Sequence, residues 1–208
     1  MSTSSKTNNS ISTGQRGRPR EFNIASVSEA AAQIFWTQGY HSTSLDDLCE
    51  ATGLLRGSLY GAFGDKRGVL LAALDQYADG SLARLSERLN SGLPPQEALR
   101  NALIHHARIA SALSVQRGCL ITNTALELLP NDLEVALRIE SIMRRISTLL
   151  AAAVIRGQVA GVFSSTLNEK AVGDFLLCLT QGLRVLGKVL DDEERLMATV
   201  DIAMRALV

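Results

Sequence analysis

The sequence predicts an all-α protein built in two unequal parts, on three observations. Apolar residues recur at three-to-four spacing from Ile24 to the end of the chain. Glycines and prolines punctuate those runs, at Gly39, Gly53, Gly64, Pro94, Pro95 and Pro130. Beyond Pro95 no segment shows the strict alternation of a half-buried strand.

At the N-terminus, residues 1–16 are rich in Ser, Thr and Asn with almost nothing to bury, so they are expected to stay disordered. Arg16, Arg18 and Arg20 follow, held extended around Pro19; they read either as a solvated tail or as a basic arm that reaches a phosphate backbone or minor groove. The first helix starts at Ile24, with Val27, Ala30, Ala31, Ile34 and Phe35 on one stripe, and Gly39 stops it. Trp36 reads as packing near its end. Ser44 stands three residues before Asp47, a capping box in which Asp replaces the longer Glu or Gln. It opens a short second helix that turns Leu45, Leu48 and Ala51 inward and ends at Thr52-Gly53. A third helix is expected from about Leu55 to Phe63, anchored by Leu59 and Phe63 at i and i+4. Asp65 caps a long fourth helix running to about Leu89, with Val69, Leu70, Ala73, Leu74 and Tyr77 on its inner side.

Five more helices are expected. They run from about Gln96 to Leu113, from Cys119 to Leu129, from near Asp132 to Gly157 or Gly161, from about Asn168 to Leu190, and from Asp192 to Leu207. In the third of these the inward stripe reads Leu133, Leu137, Glu140, Met143, Ile146, Leu150 and Ala153, with Glu140 the polar exception. In the fourth, one face carries Val172, Phe175, Leu179, Leu183, Leu186 and Leu190, and a second carries Gly173, Leu177, Cys178, Gln181 and Val185. A helix apolar on two sides buries both, so this one and the last are expected to build a twofold dimer interface.

Composition narrows the function. The chain has 208 residues, 46% hydrophobic and 20% charged, enough for one large or two small domains with a real core. Its 21 Lys and Arg balance 21 Asp and Glu. That excludes a protein that coats nucleic acid by general basicity, so any DNA contact must be local. Cys49, Cys119 and Cys178 are scattered, with no CxxC pair and no histidine cluster, which argues against a disulfide framework, a structural zinc site or any cofactor. No apolar run approaches the roughly 20 residues of a membrane span, and the polar N-terminus is unlike a signal peptide. A reducing cytoplasm is expected.

Two short helices joined by a tight glycine turn, braced by a preceding helix, make a helix-turn-helix whose second helix enters the major groove. The segment LLRGSLYGAFGDK, residues 54–66, suits that role. Gly57 and Ser58 are small enough to let a duplex approach. Arg56 can fork onto guanine or phosphate, and the hydroxyls of Ser58 and Tyr60 can reach phosphates. Lys66 opens the next helix, where a cation opposes the helix dipole but suits a docked phosphate. His41 is a further phosphate candidate or a plain surface residue.

The longer run GYHSTSLDDLCEATGLLRGSLYGAFGDK, residues 39–66, resembles the DNA-binding domain of the TetR/AcrR family of bacterial transcriptional regulators, and the likeness extends from about Gly17 to Tyr77. It implies a helix-turn-helix DNA-binding domain over residues 17–78 and a helical effector-binding and dimerisation domain over residues 79–208. By the same resemblance, Thr43, Tyr60 and Lys66 touch phosphates, Arg56, Gly57 and Ser58 touch bases, and the partners are a double-stranded operator, a small-molecule effector and a second copy of the chain. Many relatives have a capping serine where this chain has Leu55, so one backbone partner of the recognition helix is expected to be missing.

Cys119 supports two readings. Beside Arg117 at a helix start it would be a reactive thiol, as in relatives that sense electrophiles or oxidants; beside Leu120 and Ile121 it would be a small packed residue. An effector pocket is expected among the middle helices, with His106, Asn123 and Glu127 as polar points, alongside His105 and Thr124. The resulting expectation is a ligand- or electrophile-responsive repressor without a catalytic site, with the long fourth helix as its lever. The alternatives are an enzyme with Cys119 as nucleophile, and a helical interaction protein that does not read DNA.

Overall fold

Side-chain caps open three of the first four helices, and the third starts without one. The structure, a computed structural model, describes residues 22–111, 117–190 and 192–208, so the basic arm around Arg16, Arg18 and Arg20 lies outside the described residues. Among the described residues there are nine α-helices and no strand: α1 Ile24–Gln38, α2 Leu45–Thr52, α3 Arg56–Phe63, α4 Lys66–Leu89, α5 Pro95–Ser111, α6 Leu120–Leu128, α7 Leu133–Val159, α8 Glu169–Leu186 and α9 Glu193–Arg205. Asn23 caps α1, Ser44 caps α2, Asp65 caps α4, and Asp132, Asn168 and Asp192 cap α7, α8 and α9. The Asp variant of the capping box closes fully: Ser44 Oγ accepts from Asp47 N at 3.1 Å, and Asp47 Oδ2 accepts from Ser44 N at 2.7 Å. No helix among the described residues is long and apolar enough to cross a membrane.

Two apolar cores share α4 and α7. The first gathers Val27 and Phe35 of α1, Leu48 of α2, Leu59 of α3 and Leu70 and Leu74 of α4, and continues into Ile121 of α6 and Ile142 of α7. The second joins Leu85 and Leu89 at the far end of α4 to α5, α8, α9 and the second half of α7. The apolar interior beneath the helix-turn-helix therefore does not end near residue 78. Cys119, Leu120, Ile121 and Leu128 at α6, and Val135, Ile139 and Ile142 of α7, complete it.

Three expectations about packing need correction. The inward stripe of α7 begins Val135, Ile139 and Ile142, while Leu133 and Leu137 are exposed. Glu140, the polar exception in the expected stripe, lies on that solvent side. Gly157 does not end α7; it lies within the helix, where a Cβ would stand 2.0 Å from Phe163 Cδ2. On α8 the faces are redistributed: Val172, Gly173, Leu176, Thr180 and Leu183 are buried, and Phe175, Cys178, Val185 and Leu186 are exposed.

Gly173 is buried because α7 passes directly against it. A Cβ there would meet Ser147 O at 2.7 Å and Ala151 Cβ at 2.9 Å. Close packing of backbone on backbone leaves no flexible side chain to yield. Gly173→Val should therefore destabilise the protein by about 1–3 kcal/mol, read as a thermal midpoint several degrees lower than that of the parent.

Candidate nucleic-acid interface and effector cleft

The outer face of α3 is open. Leu59 is fully buried and Phe63 packs against the same core, while Arg56, Gly57, Ser58, Tyr60 and Gly61 are exposed. Leu55 at the N-cap is 81% exposed and makes no side-chain cap bond, as its apolar side chain dictates. The first amides of α3 therefore stay available to an outside acceptor. Arg56 is not idle: its Nη2 donates to Asp46 Oδ1 of α2 at 2.6 Å, an exposed pair that aims the guanidinium along the solvent face. Thr43 sits differently from expectation. The residue is 1% exposed and Oγ1 donates to Gly39 O at 2.6 Å, so the hydroxyl serves the turn.

Lys66, the first residue of α4, lies with Nζ 4.5 Å from the Tyr40 ring centroid, a cation–π contact. Burial there pushes its pKa below the usual lysine value, opposed by the Glu127 and Asp47 carboxylates. Glu127 is the largest departure from the expected site. Its carboxylate is taken up by backbone: Oε2 accepts from Tyr40 N at 2.8 Å and Oε1 from His41 N at 2.6 Å, so α6 grips the turn between α1 and α2. Gly39 makes this grip possible, with φ of 84° and no side chain where a Cβ would stand 2.9 Å from Glu127 Oε2. Asn123 is likewise engaged by backbone; its Nδ2 donates to Arg117 O at 2.8 Å and closes the approach to α6.

His106 does face a cavity. A cleft of about 400 Å3 lies between α1, which contributes Trp36, and α4, α5 and α8, which contribute Arg84, Arg88, His106 and Arg184. His105 lines it too, so both histidines reach the same space from adjacent positions. Burial first, then the positive charges of Arg184, His105 and Arg88, hold the His106 imidazole down at about 3. His105 is lowered as well, by burial and by four nearby arginines. Cys119 is 7% exposed at the N-cap of α6, inside the first core, where its Sγ accepts from Tyr77 Oη at 4.0 Å. Its surroundings match the packed reading rather than the exposed thiol.

Residues 28–73 match the family model described as bacterial regulatory proteins, tetR family, and residues 95–203 match the tetracyclin repressor-like C-terminal domain. The chain belongs to the TetR family. It is 30% identical over 192 residues to the uncharacterized HTH-type transcriptional regulator YezE of Bacillus subtilis (strain 168), covering 92% of this chain and 99% of that one. It is 28% identical over 194 residues to the HTH-type transcriptional repressor ComR of Escherichia coli (strain K12), covering 91% of each. A solved TetR-family regulator, a cysteine mutant of CifR in complex with 26-bp double-strand operator DNA, superposes with a TM-score of 0.80 at 28% identity, over 92% of this chain and 100% of that chain. The chain is thus an all-helical transcriptional regulator of the TetR family, with a helix-turn-helix at its N-terminal end.

The cleft arginines escaped the sequence reading, although a signal for them was present. Tyr77, Ser81, Arg84 and Arg88 recur at four, three and four residues, one polar and basic stripe along α4 with no acid in it.

Two outcomes follow from this geometry. Glu127→Ala leaves two backbone donors at the α1–α2 turn without their charged acceptor, so stability should fall by about 1.5–3 kcal/mol in thermal or urea unfolding. His106 binds its proton more weakly folded than unfolded, so its contribution is complete above pH 6.5 and is lost as pH falls toward 3. Replacing it with Leu should flatten the acid limb of the melting profile by up to about 1.4 kcal/mol per pH unit.

Proposed function

We propose that the chain is a cytoplasmic repressor, not an enzyme, that holds a palindromic operator as a homodimer and releases it when an effector occupies its C-terminal helices. The observation that carries this reading is the exposed, small-residue face of α3, anchored from below by Leu59 and flanked by Arg56, Tyr60 and Lys66. In the bound state Arg56 exchanges Asp46 for guanine, Gly57 and Ser58 admit the duplex, and Tyr60 and Lys66 bind phosphates. Thr43 braces the turn from within, since the residue is buried and its hydroxyl is bonded to Gly39 O.

Dimerisation follows from the apolar surface of the last two helices. Phe175, Val185 and Leu186 on α8 and Ile202 on α9 are each at least 45% exposed in the single chain. A second copy related by a twofold axis covers such a face and places two α3 helices on half-sites of a palindrome. Residues 17–78 then form the reading part and residues 79–208 the responding part, coupled through α4, through the shared core and through Glu127. An effector acts by preferring a state in which the two recognition helices no longer fit successive grooves. Cys119 is a packing residue in this scheme, because it is buried and packs within the first core.

Salt-titrated binding to the DNA flanking the chain's own gene tests this reading. Lys66→Ala should weaken binding to every sequence and reduce the log–log salt slope by about 1. Arg56→Ala should cost about 1–3 kcal/mol on the operator and relax base preference there. Absence of any sequence preference across the titration overturns the repressor reading.

A further inference from the structure

The cleft between α1 and α4, α5 and α8 is cationic in a chain whose charges otherwise balance. Arg84, Arg88 and Arg184 line it, and none of the three forms an ion pair among the described residues. Arg184 Nη1 reaches Gly118 O at 3.4 Å and Arg84 Nη2 reaches Ser81 Oγ at 3.4 Å, both long and both to neutral acceptors. The sole carboxylate of the lining is Glu29, exposed on α1.

A second observation is independent of charge. Three buried side-chain nitrogens find no hydrogen-bond partner among the described residues: Trp36 Nε1, Arg88 Nε and His106 Nδ1. All three residues line this one cleft. Indole and guanidinium N–H groups are donors only, so at least two of these atoms require an acceptor. A buried donor left without one costs about 1–3 kcal/mol, and unpaired guanidiniums beside it add to that cost. An anion in the cleft answers the unpaired guanidinium charge, beside a wall rich in donors.

We propose that this cleft binds a small organic carboxylate, with its charged end on the arginines and its apolar body against Trp36, Leu85 and Ile109. The guanidinium fork fits carboxylate and phosphate alike, and the apolar wall together with a volume of about 400 Å3 selects an organic anion over a bare inorganic one. Trp36, Gln33 and Glu29 belong to α1, so the ligand touches the helix that braces the helix-turn-helix. That contact gives the ligand a route to operator release, a consequence that rests on the repressor reading. The binding itself does not.

Trp36 is the single tryptophan of the chain, which makes its fluorescence a reporter of this cleft. The full-length protein is titrated with benzoate and octanoate, with benzamide and octanamide as neutral matches, and with inorganic phosphate. The carboxylates should give a saturable change that the amides do not. Arg88→Gln and Arg184→Gln should weaken it at least about tenfold, or about 1.4 kcal/mol, and Arg88→Lys should recover part of the loss. Each variant is first checked for a parental melting curve, and Arg84→Gln, on an exposed residue, replaces either buried-site variant that unfolds. An equal response to the amides, a response to phosphate alone, or unchanged binding by the arginine variants overturns the proposal. So does no response to either carboxylate at about 10 mM, which would fill most of even a ~1 mM site. Operator binding measured on the same samples separates the two readings: carboxylate binding by a protein that ignores its operator defeats the repressor alone, and operator binding without a carboxylate response defeats only the ligand class.

Discussion

The carboxylate of Glu127 holds the turn at Tyr40 and His41, and the placement of the reading helices relative to the rest of the chain depends on it. Two backbone donors at a bend would otherwise have to find water or each other, and here one side chain from α6 takes both. The apolar core beneath acts in the same direction. Ile121 of α6 and Ile142 of α7 pack in one cluster with Phe35, Leu48 and Leu59, so α1, α2 and α3 do not hang from α4 by a hinge. Movement of α6 must carry the α1–α2 turn with it. In a packed interior such motion passes as a shift between discrete arrangements, because close-packed side chains do not deform continuously.

Lys66 joins this junction from the other side. It lies over Tyr40, whose own amide is held by Glu127, and the Glu127 charge helps to keep the lysine protonated. One carboxylate therefore orders a turn, a ring and a cation, and the cation opens the long helix that reaches the cleft. Along that helix the environment changes from the apolar Val69–Ala78 stretch to a wall with Arg84 and Arg88, so α4 is a strut at one end and a binding surface at the other.

Much of this was legible in the sequence because it is local. Capping by Ser44, Asp65, Asp132, Asn168 and Asp192, the stops after α1 and α2, and the Leu59 and Phe63 anchors are written in neighbours three or four residues apart. What escaped depends on pairs separated by most of the chain. Glu127 lies 87 positions from Tyr40, and no periodicity links an acid on α6 to an amide after α1. The cleft takes Trp36, Arg88, His106 and Arg184 from four helices, and only their meeting gives them a common role. The α7 register failed for another reason: Leu133 and Leu137 are apolar at helical spacing, yet Val135 and Ile139 two residues on are apolar too, so composition alone supports both faces. Thr43 has the residue type of a phosphate contact, but a hydroxyl that satisfies its own turn looks the same in sequence as one offered to DNA.

Leu55 gives α3 a character its neighbours lack. The helix has eight residues, one fully buried side chain and no N-terminal cap, whereas α2, of the same length, is closed by a reciprocal box. Few buried contacts and open terminal amides put an element at the low end of the local stability scale, where backbone protons trade with solvent without global unfolding. In the free protein α3 is therefore the first of these helices to fray, and a phosphate at its open end would serve as the cap that Leu55 cannot provide. On the proposed reading, operator DNA would complete the fold of the element that reads it.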